Sequence, residues 1–385
     1  MSATAATAVQ GRTASAASAG RWPALAFTVI VAVAAAYAFS PRPTPPFAPT
    51  AVHPDGLLVT GLARSGTRLL AVGEQGRILV ADDARGPWHE ATVEPQRGST
   101  LTQVKFIDDK TAIAVGHDGW ILRSSDGGES WNETFFIESP KPDAAADAGL
   151  APPADAGFSV EPPADDAGAA PAASAWTPPP LQPDPLLGIA GPFDGRLFAY
   201  GGFGLMLSST DAGQSWQRVS AEAISDHHLY GIVRATDRSL IVVGERGLMA
   251  RSGDDGQSWS KLPSVYDGSF FGALVLPSKA LLAYGMRGNV YRSDDDGKTW
   301  QKSTTPVSSS LFGGNVSPRG EIVLVGAGSV ILVSNDDGRS FTQPLPGNPH
   351  DLAAVLPLTS SNLLTAGDGG LELTQIGGVA EGAQP

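Results

Sequence analysis

The chain has 385 residues, no cysteine, 46 glycines, 31 prolines and a formal net charge of −13. The lack of cysteine excludes disulfides, thiolate metal sites, thiol catalysis and a lipidated-cysteine anchor. The acidic balance, with a pI near 4.8, argues against a nonspecific nucleic-acid binder, which needs net positive surface. The length fits two or three average domains or one large repeat domain, so internal repeats decide the architecture.

Residues 1–21 hold no acid and carry Arg12 and Arg21. The run from Trp22 to Phe39, WPALAFTVIVAVAAAYAF, has no charge over 18 residues, and about twenty suffice to cross a bilayer as a helix. It reads as a signal peptide cut after Ala36-Tyr37-Ala38, or as an uncut anchor. Positive charge ahead of the span places the N-terminus in the cytoplasm and the remainder outside it. The expectation is an N-terminal signal or anchor segment over 1–40 with one hydrophobic helix, and the rest of the chain membrane-anchored or secreted to the non-cytoplasmic side.

A repeat then begins. Its copies are AVGEQGRILVADDARGPW (71–88), AVGHDGWILRSSDGGESW (114–131), AYGGFGLMLSSTDAGQSW (199–216), VVGERGLMARSGDDGQSW (242–259), AYGMRGNVYRSDDDGKTW (283–300) and LVGAGSVILVSNDDGRSF (324–341), with a partial copy, TAGDGGLELTQ, at 365–375. The first glycines fall at 73, 116, 201, 244, 285, 326 and 367, in steps of 43, 85, 43, 41, 41 and 41. The step of 85 is one period plus residues 139–185. That stretch is dominated by Ala, Pro and Asp and cannot bury enough apolar surface to offset ordering, so it is expected to be a disordered insertion.

A period of 41–43 residues is that of a four-stranded propeller blade. In the fourth copy, LYGIVRA (229–235), LIVVG (240–244), LMARS (248–252) and SWSKL (258–262) supply strands A to D. Gly188, Gly231, Gly272 and Gly313 lie on inner strands, with Ala353 near the matching place, where crowding at the axis favours missing side chains. The prediction is an all-β, seven-bladed propeller over 41–376 with a tail at 377–385. The seventh copy lacks a strand D. Phe47 precedes Leu58 by the same eleven residues that separate Trp259, Trp300 and Phe341 from the next strand A, so FAPTAV (47–52) is expected to close the ring as the missing outer strand.

The string S-x-D-x-G-x-x-W recurs between strands C and D. Its aspartates, Asp126, Asp211, Asp254, Asp295 and Asp336, can each accept hydrogen bonds from backbone N–H groups a few residues on. The glycine supplies positive φ, and the Trp drops onto the blade. These acids are expected to be structural. The string resembles the Asp-box, or bacterial neuraminidase repeat, and that resemblance implies that the box lies away from the active face. The first copy departs with ADDARGPW (81–88), which predicts a looser outer turn.

Alternating strand directions put the A–B and C–D turns on one face, and the B–C turns and D-to-A links on the other. The insertion and His53, His117, His227, His228 and His350 fall on the second face; without tight ligand spacing, no metal or cofactor is expected from them. The A–B turns carry Arg68, Lys110, Arg196, Arg238, Lys279 and Arg319, with Asn362 in the seventh. These cations either balance nearby carboxylates or dock an anionic partner. Arg246 and Arg287 offer a smaller patch on the B–C face.

The fuller pattern AVGxxGxIxxSxDGGxSW, best matched at 114–131, resembles the photosystem II stability and assembly-factor family. That resemblance covers roughly 47–376 apart from the insertion. It implies a monomeric, non-catalytic platform that binds membrane-protein subunits and assists their assembly. Two alternatives stand beside it. A sialidase-type hydrolase needs an arginine triad and a Tyr–Glu nucleophile pair; six tyrosines are present and Tyr230 opens a strand A, but no Glu–Tyr pair or early F-R-I-P-like motif is seen. A glycan-binding lectin would stack sugars on exposed aromatics such as Trp120 and Phe203.

Overall fold

The computed structural model of the chain describes Phe27, Val29, Val31 and residues 54–138, 176–178 and 180–376. It forms two units, Met1–Ala48 and Pro49–Pro385. In the first unit Phe27, Val29 and Val31 are helical and exposed. No helix among the described residues is long and apolar enough to cross a membrane. The span expected over Trp22 to Phe39, the closing strand over 47–52 and most of the insertion lie outside the described residues.

The second unit is a ring of seven antiparallel sheets. Their inner strands, here called A, are Val59–Ser65, Leu101–Phe106, Leu186–Phe193, Leu229–Arg234, Phe270–Val275, Leu311–Val316 and Leu352–Pro357. Strand B of the fourth sheet is Leu240–Gly244 and strand C is Met249–Ser252, close to the sequence expectation. Strand D is shorter than expected, only Ser260–Lys261. Trp259 instead leaves the ladder and is buried, because its ring gains more from packing than its backbone would from an edge pairing. In the sixth sheet the outer strand shrinks to a bridge between Val333 and Thr342. In the second sheet a fifth strand, Thr92–Glu94, pairs parallel to Ser130–Phe135, so the link leaving one sheet stitches onto the rim of the next.

Four strands B are buried along their whole length, as in LIVVG and IVLVG, and the other three are buried after their first residue. Each such Val, Leu or Ile contributes about 1.5–3 kcal/mol when removed from water. The core divides into seven clusters that span the gaps between neighbouring sheets. One of them joins Val59, Leu69 and Ala71 of the first sheet to Leu356, Leu364 and Ala366 of the seventh, so the ring is closed by side-chain packing. Gly56 N–H also donates to Gly369 O at 3.2 Å, bringing the chain that enters the first sheet against the seventh.

The repeat's first glycine is there for space. A Cβ on Gly73 would sit 1.9 Å from Leu58 O, and one on Gly326 1.9 Å from Ser310 O. The inner-strand glycines are likewise crowded. A Cβ on Gly313 would meet Ala353 O at 2.4 Å, and Gly188 and Gly272 lie under the rings of Tyr200 and Tyr284. In the seventh sheet the matching residue is Ala354, paired with Ala366, one place beyond the expected Ala353.

Candidate functional site

The recurrent aspartates build turns. Asp211 Oδ1 accepts from Gln214 N–H at 3.1 Å, Ser215 N–H at 3.0 Å and Ser209 Oγ at 2.7 Å, while Oδ2 accepts from Ser215 Oγ at 2.6 Å. Asp126 and Asp336 repeat the set, and Asp254 and Asp295 repeat it without the bond from the N–H three residues on. Hydrogen bonds from the serine or threonine four residues on help hold these carboxyls below the usual range, at about 2 for Asp254. For Asp295 and Asp336, also at about 2, burial opposes the same bonds and they prevail. The box glycine has a positive φ, +84° at Gly256, and a Cβ there would meet the Phe198 ring of the preceding sheet at 2.5 Å. The degenerate first box still buries Trp88, with Asp83 Oδ1 accepting from Arg85 N–H at 2.8 Å.

Sequence reasoning missed a partner of these turns. Arg123 donates to Ala212 O, Arg251 to Asp296 O and Arg292 to Asp337 O. Each ties a strand C to the box of the next sheet. The signal was present, since an arginine immediately precedes the box serine in RSSDGG, RSGDDG and RSDDDG.

The A–B cations divide. Arg68 pairs with Asp82 and with Glu129 of the adjoining box, and Arg238 pairs with Asp194. Lys110, Lys279 and Arg319 are exposed and Arg196 half-buried, and none of the four forms an ion pair among the described residues. The broken ring is thus partly consumed by turn-to-turn pairing. On the other face, Arg246 reaches Glu245 and Asp226 O, while Arg287 is exposed.

That second face surrounds the mouth of a central channel of about 780 Å³. Every strand A breaks register at its second residue, for example between Leu229 and Gly231. A bulge re-aims the side chain of the unpaired residue, and all seven of these residues line the channel. In the first and second sheets they are Thr60 and Thr102, whose hydroxyls donate to Leu101 O and Leu186 O of the next sheet. In the fourth to sixth they are Tyr230, Phe271 and Phe312. Their rings form one run with Phe203 and His228, at centroid distances of 4.7 Å (Phe203–His228), 6.3 Å (His228–Tyr230), 5.3 Å (Tyr230–Phe271) and 5.6 Å (Phe271–Phe312). Phe203 is 62% exposed and Phe312 36%. Phe203 also holds φ +47°, a conformation uncommon for a bulky side chain.

Other expected features land elsewhere. Trp120 is fully buried, packed over Gly76, which removes it as a sugar-stacking surface. His350 contacts Asp368 at 3.1 Å and His227 is shifted toward neutrality, first by burial. His53 lies outside the described residues, which contain no cluster of three metal-ligating side chains.

A family profile described as BNR/Asp-box repeat matches residues 291–302. Comparison with curated proteins finds no match. Among solved structures, YCF48 bound to D1 peptide superposes with a TM-score of 0.58 at 16% identity, over 87% of this chain and 99% of that one. YCF48 from Cyanidioschyzon merolae gives 0.57 at 12% identity, over 84% and 98%. The WD40 β-propeller domain of Doa1 gives 0.59 at 10% identity, over 86% and 96%. Identities this low speak to fold. The chain is a seven-bladed β-propeller carrying the BNR/Asp-box repeat, and its fold is similar to that of YCF48.

Proposed function

We propose that the chain is a non-catalytic, protein-binding propeller that holds an extended segment of a membrane-protein subunit across the channel mouth and so assists assembly or stability of a membrane complex. The run of rings from Phe203 to Phe312 carries this reading. Exposed aromatics supply large, low-entropy contact area of the kind that anchors interfaces, and Arg246 and Arg287 on the adjacent turns suit acidic positions in the bound segment. Similarity of fold to YCF48, whose structure is bound to D1 peptide, supports it. The exported or membrane-tethered location belongs to the same proposal and rests on the run from Trp22 to Phe39.

The tyrosines speak against a sialidase-type reaction. Burial pushes the phenols of Tyr200, Tyr284 and Tyr230 upward, the opposite of what a tyrosine nucleophile needs. The test is a photo-crosslinking residue placed at Phe312 or, on the opposite face, at Arg319. Crosslinks to integral membrane subunits from Phe312 alone are expected, and Phe203→Ser in the chain labelled at Phe312 should abolish them without changing Tm. Equal crosslinking from both faces, or turnover of a fluorogenic sialoside, contradicts the proposal.

A further inference from the structure

The interior of the channel differs in chemistry from its mouth. Its lining among the described residues includes Arg64, Lys105 and Arg234 and no carboxylate, in a chain with a net charge of −13. Arg234 is paired with Asp194 at 2.6 Å, and Arg64 donates to Gly66 O. The Lys105 ammonium has no ion pair or hydrogen bond among the described residues.

Register explains how unusual Lys105 is. It faces Ile113, and the residues at the same level of the other sheets are Ala63, Ala190, Val233, Leu274, Asn315 and Leu356. Two residues earlier on the same strand, Gln103 stands where five other sheets have glycine and the seventh has Ala354. Its Oε1 accepts from Ile189 N–H at 2.5 Å. The second sheet therefore places an amide and an ammonium in a channel whose other cations, Arg64 and Arg234, already have partners. Burial lowers the Lys105 pKa, with no opposing charge to offset it. An ammonium drawn out of water without a counter-charge is costly unless an anion completes it, and a cavity of this size with a few placed polar groups suits a small organic ligand.

We propose that the central channel binds an organic anion with an apolar body, a carboxylate on an aliphatic chain, whose head group is received by Lys105 while the chain lies along the aliphatic and aromatic wall. This site is independent of partner binding at the mouth, which Phe203 and Phe312 test separately.

The experiment uses the whole chain and decanoate as probe, with decanol as the uncharged control, by titration calorimetry. Decanoate should bind roughly tenfold or more tightly than decanol, Lys105→Met should remove that preference, and Lys105→Arg should keep most of it. Decanol binding as tightly as decanoate, an unchanged preference in Lys105→Met, or no decanoate binding up to about 1 mM each overturns the proposal. A second measurement needs no variant. Reductive methylation read by mass spectrometry should slow at Lys105 when decanoate is present, relative to the exposed Lys110 and Lys279, and decanol should have no such effect. Equal slowing at all three, or none, rejects the site.

Discussion

Removing one box carboxylate tests the claim that these acids hold turns together. Asp254 is the best choice, because its three contacts are local: Ser258 N–H at 2.9 Å, Ser258 Oγ at 2.5 Å and Ser252 Oγ at 2.7 Å. Its pKa of about 2, against roughly 3.9 for an ordinary aspartate, corresponds to about 2.5 kcal/mol of preference for the charged form before screening. The side chain is partly exposed, so solvent reduces this to about 1 kcal/mol. Loss of the hydrogen bonds adds about 1 kcal/mol, since water replaces part of each. Asp254→Ala should therefore cost about 2 kcal/mol, or about 4 °C in Tm for a domain of this size. Asp254→Asn keeps an acceptor at Oδ1 and should lose about half as much. The folded-state pKa is depressed, so the charge contribution is present above the unfolded value of about 3.9 and disappears as pH falls through about 2. The gap between wild type and Asp254→Asn in calorimetric melts should close across that window. An unchanged Tm in Asp254→Ala, or a gap that persists to the acid limit, would refute the scaffold role.

Three other outcomes are expected. Gly256→Ala meets both a φ of +84° and the Phe198 ring at 2.5 Å, and should cost about 2–4 kcal/mol; Gly66→Ala, with φ +58° and open space, should cost only about 1 kcal/mol by urea unfolding. The Arg292 side chain is 6% exposed and bridges Asp294 and Asp337, so Arg292→Ala should destabilise by about 3 kcal/mol, whereas Arg246→Ala, with its side chain 71% exposed, should stay within about 0.5 kcal/mol in thermal melts. Whole-protein stability should fall as pH drops below about 4, where the unfolded chain binds protons that the depressed carboxyls of Asp126, Asp211, Asp254, Asp295 and Asp336 still refuse, followed by circular dichroism; stability that is flat through that range contradicts the depressed pKa values.

The sequence by itself determined the number of sheets, the boundaries of strands A and B, and the turn chemistry of the box. Each is a local matter: apolar runs of strand length and a glycine where backbones touch, repeated seven times, and an aspartate within reach of its own N–H groups, repeated five times. It also determined which turns share a face, because antiparallel alternation leaves no choice. Tertiary structure decided what no single repeat contains. Phe203, His228, Tyr230, Phe271 and Phe312 come from four sheets; bulges turn Tyr230, Phe271 and Phe312 toward one axis, and a B–C turn and a D-to-A link bring Phe203 and His228 to them. Arg68 and Arg238 look alike in the sequence with Lys279 and Arg319, yet their pairing depends on which carboxylate the neighbouring sheet presents. Lys105 reads as an ordinary strand lysine until register sets it in a ring of five aliphatic side chains and Asn315, since burial at the axis follows from closing the circle.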